Sequence, residues 1–165
     1  MREADRLFEH LDVDEKIVAR FFIFFSRFEY ALKRAGYVRG DNGRVWVDWD
    51  RFSSKLKDTF EPGKTSELQE AVRYLQDHPP KKQIVKAGQL DWRECERSES
   101  EPLVQWLLRL VRRVRNNLFH GGKFPEFPVQ DPSRNTKLLE SCLIVLNACL
   151  ELRPEVRHRF LDRLE

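Results

Sequence analysis

The sequence predicts an all-α fold, a bundle of about four to six helices with at most a short β-ribbon near residues 44–49. Three observations predict it. Apolar residues recur at helical spacing through several long segments. Capping residues, glycines and prolines bound those segments. Strand-like alternation is confined to Val45-Trp46-Val47. With 165 residues, 41% hydrophobic and 35% charged, and with twelve Phe and four Trp, the chain has the size and the apolar content for one domain, 1–165.

Asp12 or Asp14 can cap a helix from about Glu15 to Ala35, which Gly36 ends. Its positions Ile17, Phe21, Phe24, Phe25, Phe28, Leu32 and Ala35 follow helical spacing, while Val18, Phe22 and Ile23 widen the apolar stripe beyond one face. One side is expected on the core and a second against another chain. Asp41-Asn42-Gly43 marks a turn, and Val45-Trp46-Val47 after it is extended. Asp50 is expected to cap a short helix through Leu56, and Thr65 or Ser66 one through about Asp77, stopped by His78-Pro79-Pro80. The stretch from Lys81 to Glu101 shows no clear periodicity, and a connection of that length suggests a binding or lid segment over the cleft. Pro102 opens a helix from about Leu103 to Phe119, closed by Gly121-Gly122, with Leu103, Leu107, Leu110, Val111, Val114 and Leu118 as its core stripe. Asp131-Pro132 opens a long helix with Leu138, Leu139, Cys142, Leu143, Leu146, Cys149 and Leu150 inside. Pro154 opens a terminal one using Val156, Phe160 and Leu164.

Thirty Lys and Arg against 27 Asp and Glu leave a net charge of only +3, so the distribution of charge matters more than its sum. Pro102 to Pro125 holds Arg109, Arg112, Arg113, Arg115 and Lys123 with no acidic residue, a stretch able to attract phosphate or simply to form a solvated helix face. Cys95, Cys142 and Cys149 show no CxxC spacing and no paired framework, which argues against a disulfide scaffold or structural zinc and suits a reducing cytoplasm. The run Phe21 to Phe25 is far short of a membrane span, and no export signal or anchor is expected. His10, His78 and His158 are scattered, and no His-acid spacing suggests a metal site. No glycine-rich phosphate loop points to a bound cofactor.

The informative segment is Arg112-Arg113-Val114-Arg115-Asn116-Asn117-Leu118-Phe119-His120-Gly121-Gly122-Lys123. At about 100° per residue, Arg109, Arg112, Asn116 and His120 share one polar face, while Arg115 stands at the edge of the core stripe about 140° from His120. The two can line one cleft if the helix ends near His120, or if each meets the other's counterpart across a dimer axis. An imidazole at a helix C-terminus is favoured as the cation and suits a proton carrier near neutral pH. Arg115 offers a planar fork to a phosphate, and Asn116 a hydrogen bond to the ring or to a ligand oxygen. Such groups can cleave RNA without metal. His120 takes the proton of a ribose 2′-OH, that oxygen attacks the adjacent phosphorus, and Arg115 stabilises the charge of the transition state. DNA, without the 2′-OH, is inert.

Arg115-Asn116-x-x-x-His120 resembles the Arg-x4-6-His signature of the HEPN superfamily, and Phe25-Ser26-Arg27-Phe28-Glu29-Tyr30-Ala31-Leu32 resembles the first helix of several bacterial members. The resemblance implies a helical bundle that dimerises and brings two motifs into one basic cleft. It also implies a ribonuclease of toxin-antitoxin or other defence systems, with RNA as substrate and an antitoxin or regulatory protein as a further partner. It places catalysis on Arg115 and His120, with Asn116 as the accompanying polar residue. Arg109, Arg112, Arg113 and Lys123 are expected to bind phosphate, and Glu29 to support Arg115, with neither metal nor cofactor. The chain departs from members that carry a modifiable Tyr two residues after the His, since Gly122 stands there. Structural roles compete at each position: His120 as a C-cap, Arg115 in an ion pair with Glu29, Trp46 and Trp49 as core packing instead of base-stacking faces. The alternative function is a non-catalytic HEPN-like dimeric module that binds RNA, a nucleotide or a partner protein.

Overall fold

The computed structural model describes residues 13–119 and 132–162. Among these, six helices and two separate two-stranded antiparallel sheets follow in the order α1 (Glu15–Arg34), β1 (Val38–Asp41), β2 (Arg44–Val47), α2 (Trp49–Ser54), α3 (Ser66–Asp77), β3 (Lys82–Lys86), β4 (Gln89–Arg93), α4 (Leu103–Phe119), α5 (Pro132–Glu151) and α6 (Pro154–Leu161). The chain is therefore mostly helical, as its apolar periodicity predicts.

Local chemistry sets the helix ends. Asp14 caps α1 by accepting the Lys16 N–H at 2.7 Å. At the other end Gly36 takes a left-handed φ of 87°. The Tyr37 N–H then reaches back to the Leu32 carbonyl at 2.9 Å and the Gly36 N–H to Lys33 at 3.1 Å, which satisfies two otherwise orphaned carbonyls. The Thr65 side chain caps α3 through the Leu68 N–H at 3.1 Å. The short helix α2 departs from expectation, because Asp48 caps it through the Arg51 N–H at 3.1 Å and it begins at Trp49. Asp50 instead lies in its first turn and accepts from Arg39 at 2.7 Å.

Helix α4 is buried over most of its circumference. Val104, Trp106, Leu107, Leu108, Leu110, Val111 and Val114 are all buried, so its apolar surface spans much more than the stripe its leucines outline. Helix α5 packs against α1, α3, α4 and α6, and α6 also lies on α1. There Arg27 donates to the Phe160 carbonyl at 2.8 Å and to the Asp162 carbonyl. Between α1 and α2 sits an aromatic cluster: Trp49 stacks on Phe25 at 5.9 Å and on Phe28 at 6.2 Å, with Phe52 edge-on to Phe28 at 5.7 Å. Trp49 is therefore core packing, whereas Trp46 is half exposed on β2. Cys95, Cys142 and Cys149 are buried and form no disulfide with one another. Among the described residues, no helix is long and apolar enough to cross a membrane.

The expectation of at most one ribbon is corrected twice. The first hairpin is longer than expected, since Val38–Asp41 pairs with Arg44–Val47 across a turn in which Asn42 and Gly43 have φ of 47° and 79°. A second hairpin, β3–β4, lies inside the stretch that lacks periodicity, turning at Ala87 and Gly88 with φ of 49° and 77°. Both of its faces are largely exposed, so no alternation of apolar and polar residues announces it. An alanine in a left-handed turn position hides the turn as well.

Candidate functional site

The C-terminal half of α4 carries the candidate residues, and consecutive side chains there face different neighbours. Arg109, Arg112, Arg113, Asn116 and Asn117 line one groove of about 370 Å³, closed on its far side by Lys82 and Gln83 of β3. The groove lining holds four cations and three amides with no carboxylate. The Lys81 to Glu101 stretch thus borders this face of α4 through the start of the second hairpin.

Each cation is held differently. Arg109 forms a two-pronged pair with Glu101, Nε to Oε1 at 3.0 Å and Nη2 to Oε2 at 2.6 Å, and also donates to the Glu96 carbonyl at 3.0 Å. It clamps the 94–101 segment onto α4, and Glu101 holds its pKa above the ordinary arginine value and shares its charge. The Arg112 guanidinium lies 5.4 Å over the Trp49 ring. Burial draws its pKa below the ordinary value, with the charge of Asp50 acting in the opposite sense. Arg113 and Asn116 make no polar contact with any other described residue, so their donors face the groove uncommitted. Asn117, a residue the sequence reading assigns no role, is buried and donates from Nδ2 to the Lys81 carbonyl at 3.0 Å. That bond ties the second hairpin to α4.

Arg115 points away from this groove, toward α1. Its guanidinium lies 5.2 Å over the Phe25 ring, and Nη2 stands 3.4 Å from Glu29 Oε1. Its Nε is buried without a partner among the described residues. Beside it, Phe119 packs on Phe22 at 5.2 Å, yet both rings remain largely exposed. The structure therefore brings Arg109, Arg112, Arg113 and Asn116 together, and separately brings Arg115 to Glu29. His120 and Lys123 lie outside the described residues. Among the described residues no three His, Cys, Asp or Glu side chains come together in the way a metal ion would need.

Lys82, Gln83 and Asn117 are the groove residues that sequence reasoning missed. The Lys81-Lys82 pair and the second asparagine of Asn116-Asn117 were the available signals, but only the hairpin fold shows that they meet. Fold and site together define a mostly helical protein with a cationic, amide-lined groove along α4. Compared with family models, curated proteins and solved structures, the chain finds no match.

Proposed function

We propose that this protein is a metal-independent RNA endonuclease of HEPN type, a cytoplasmic toxin or phage-defence effector acting as a homodimer. The observation that carries the proposal is the groove: a surface of cations and amides without one acid, immediately before the Arg115–His120 motif, suits a phosphate backbone. In this reading the backbone lies along Arg112, Arg113 and Asn116. His120 takes the 2′-OH proton, and Arg115 neutralises the phosphorane. The exposed Phe22 and Phe119 beside Arg115 support a dimer, since a second copy covering them would bring two Arg115 side chains toward one cleft. An antitoxin or regulatory protein would restrain such an activity.

The test is incubation with RNA in EDTA beside Arg115→Ala and His120→Ala, with cyclic-phosphate ends as the readout. Loss of cleavage in both variants is expected, and cleavage unchanged in both would falsify the assignment of the pair. Sedimentation of Phe22→Glu tests the dimer: a shift from two chains to one is expected, and an unaltered mass removes this face from the interface.

The second reading, a non-catalytic module that binds RNA through the same groove, is favoured by one specific contact. Glu29 already occupies the Arg115 fork at 3.4 Å, as it would in a purely structural ion pair. RNA bound but not cut by any form of the protein would decide for it.

A further inference from the structure

Resting on the RNA reading above, we infer that hairpin β3–β4 is the base-stacking wall of a site for single-stranded RNA, with Trp92 as the platform on the hairpin face that continues the cationic groove past Gln83. Strand register supplies the geometry. Side chains alternate faces along a strand, and directly paired residues share a face. Gln83 pairs with Trp92, and Val85 with Leu90. Lys82 and Gln83, on opposite faces of β3, both line the groove with Arg113 and Asn116, so β3 meets it edge-on; Gln83 is the partly buried one of the two, and its face carries Trp92, then Val85 and Leu90.

That face is apolar and open. Val85, Leu90 and Trp92 are 76%, 67% and 39% exposed. An exposed apolar strip on a two-stranded ribbon marks a surface that something covers. Charge argues for what covers it. The adjoining groove presents Lys82, Arg112 and Arg113, which match a polyanion and would repel a basic peptide. Aromatic and aliphatic side chains next to cations are what a nucleic acid with unstacked bases requires: rings for the base faces, cations for the phosphates. A duplex keeps its bases stacked and offers nothing to Trp92.

The wall is anchored at its base and free at its tip. The Asn117 bond to the Lys81 carbonyl at 3.0 Å ties the start of the hairpin to α4, and the Lys81–Glu94 pair at 2.6 Å ties its two ends together. The turn at Ala87-Gly88 lies beyond them, so the strip stands out beside the groove.

The test uses the full chain and a labelled twelve-nucleotide 2′-O-methyl RNA, which cannot be cut by 2′-oxygen attack, followed by fluorescence anisotropy. A duplex of the same length is the control. Trp92→Ala is expected to weaken single-strand binding roughly ten-fold, within the range that base stacking on an aromatic ring supplies. Trp92→Phe should recover most of the loss, and Arg113→Gln should reduce the salt slope by about 0.7. Duplex binding should change little in the Trp92 variants. Unchanged single-strand affinity in Trp92→Ala overturns the inference, as does absence of binding by the unmodified chain. A Trp92→Ala chain of altered sedimentation mass overturns it too, because the strip is then an interface between copies. Failure of the nuclease reading is separable: a chain that binds through Trp92 without cutting RNA retains this site, and one that cuts while Trp92→Ala leaves KM unaltered loses it.

Discussion

Glu29→Gln should move stability and RNA affinity in opposite directions. The Arg115–Glu29 separation is 3.4 Å, for which the bare attraction at an effective dielectric of 20 is about 5 kcal/mol. Most of that is offset by lost hydration and by side-chain ordering, because the pair is partly open, with Arg115 32% and Glu29 24% exposed. Partly exposed pairs of this kind retain about 0.2–1 kcal/mol, and the buried Nε and the Phe25 ring beneath the guanidinium place this one toward the upper end. A loss of about 1 kcal/mol in a chain of this length lowers the melting temperature by about 2–4 °C. The gap between the two proteins should narrow in high salt as screening weakens the pair. The same substitution releases the Arg115 fork and removes a carboxylate from the neighbourhood of Arg112. Anisotropy with uncleavable RNA should therefore show tighter binding and a salt slope steeper by about 0.7, one added phosphate contact. If Glu29 also aims the fork, kcat falls while binding improves. Unaltered melting together with unchanged or weaker binding would refute the idea that Glu29 restrains Arg115.

Ala87 holds a left-handed φ of 49° that an L residue adopts at a cost, so Ala87→Gly should stabilise the protein by about 0.5–1 kcal/mol in urea unfolding. A loss of stability would contradict the turn. Burial pushes the Cys149 thiol well above its free value of 9.0, and Tyr37 is raised from 10.0, chiefly by burial and then by its bond to Glu155. Both groups hold their protons to higher pH in the folded chain than in the unfolded one. Stability is therefore complete below about pH 9 and falls as pH rises beyond it, by up to about 1.4 kcal/mol per pH unit for each group. Cys149→Ala should make that alkaline decline shallower, and an identical slope would exclude the thiol as a source.

The helices were readable because each depends on neighbours in the chain. Asp14, Gly36, Thr65, Pro102 and Pro154 act within one turn, and the apolar period of α1 and α4 is a property of the segment alone. The second hairpin escaped for the converse reason. Its strands carry Val85 and Leu90 into solvent instead of a core, and its turn rests on an alanine where Asn or Asp would have signalled it. Around the groove, the helical period is enough to place Arg109, Arg112 and Asn116 on one face. It could not reveal that Glu101 folds back to share the charge of Arg109, eight residues away but beyond the start of α4. Nor could it reveal that Asn117 holds Lys81, thirty-six residues distant. The Glu29–Arg115 pair could be named as a candidate from charge alone, but its choice over other acids needed α1 and α4 side by side.

Arg115 is directed to α1, while Arg113 and Asn116 face the groove on another side of α4. A further turn of about 140° separates positions 115 and 120 if the helical period continues. A phosphodiester seated in the groove of one subunit is thus poorly placed for that subunit's own Arg115, and a guanidinium from a second copy, docked over the exposed Phe22–Phe119 pair, is the economical source. Subunit complementation distinguishes the two arrangements. Arg115→Ala and His120→Ala chains are mixed in equal amounts and allowed to exchange, so that about half of the dimers are mixed. If each site draws its Arg and its His from different chains, every mixed dimer retains one intact site of two, and cleavage returns to about a quarter of the unmodified rate. If each site lies within one chain, no mixed dimer holds an intact pair and the mixture stays inactive, which would rule out the composite cleft.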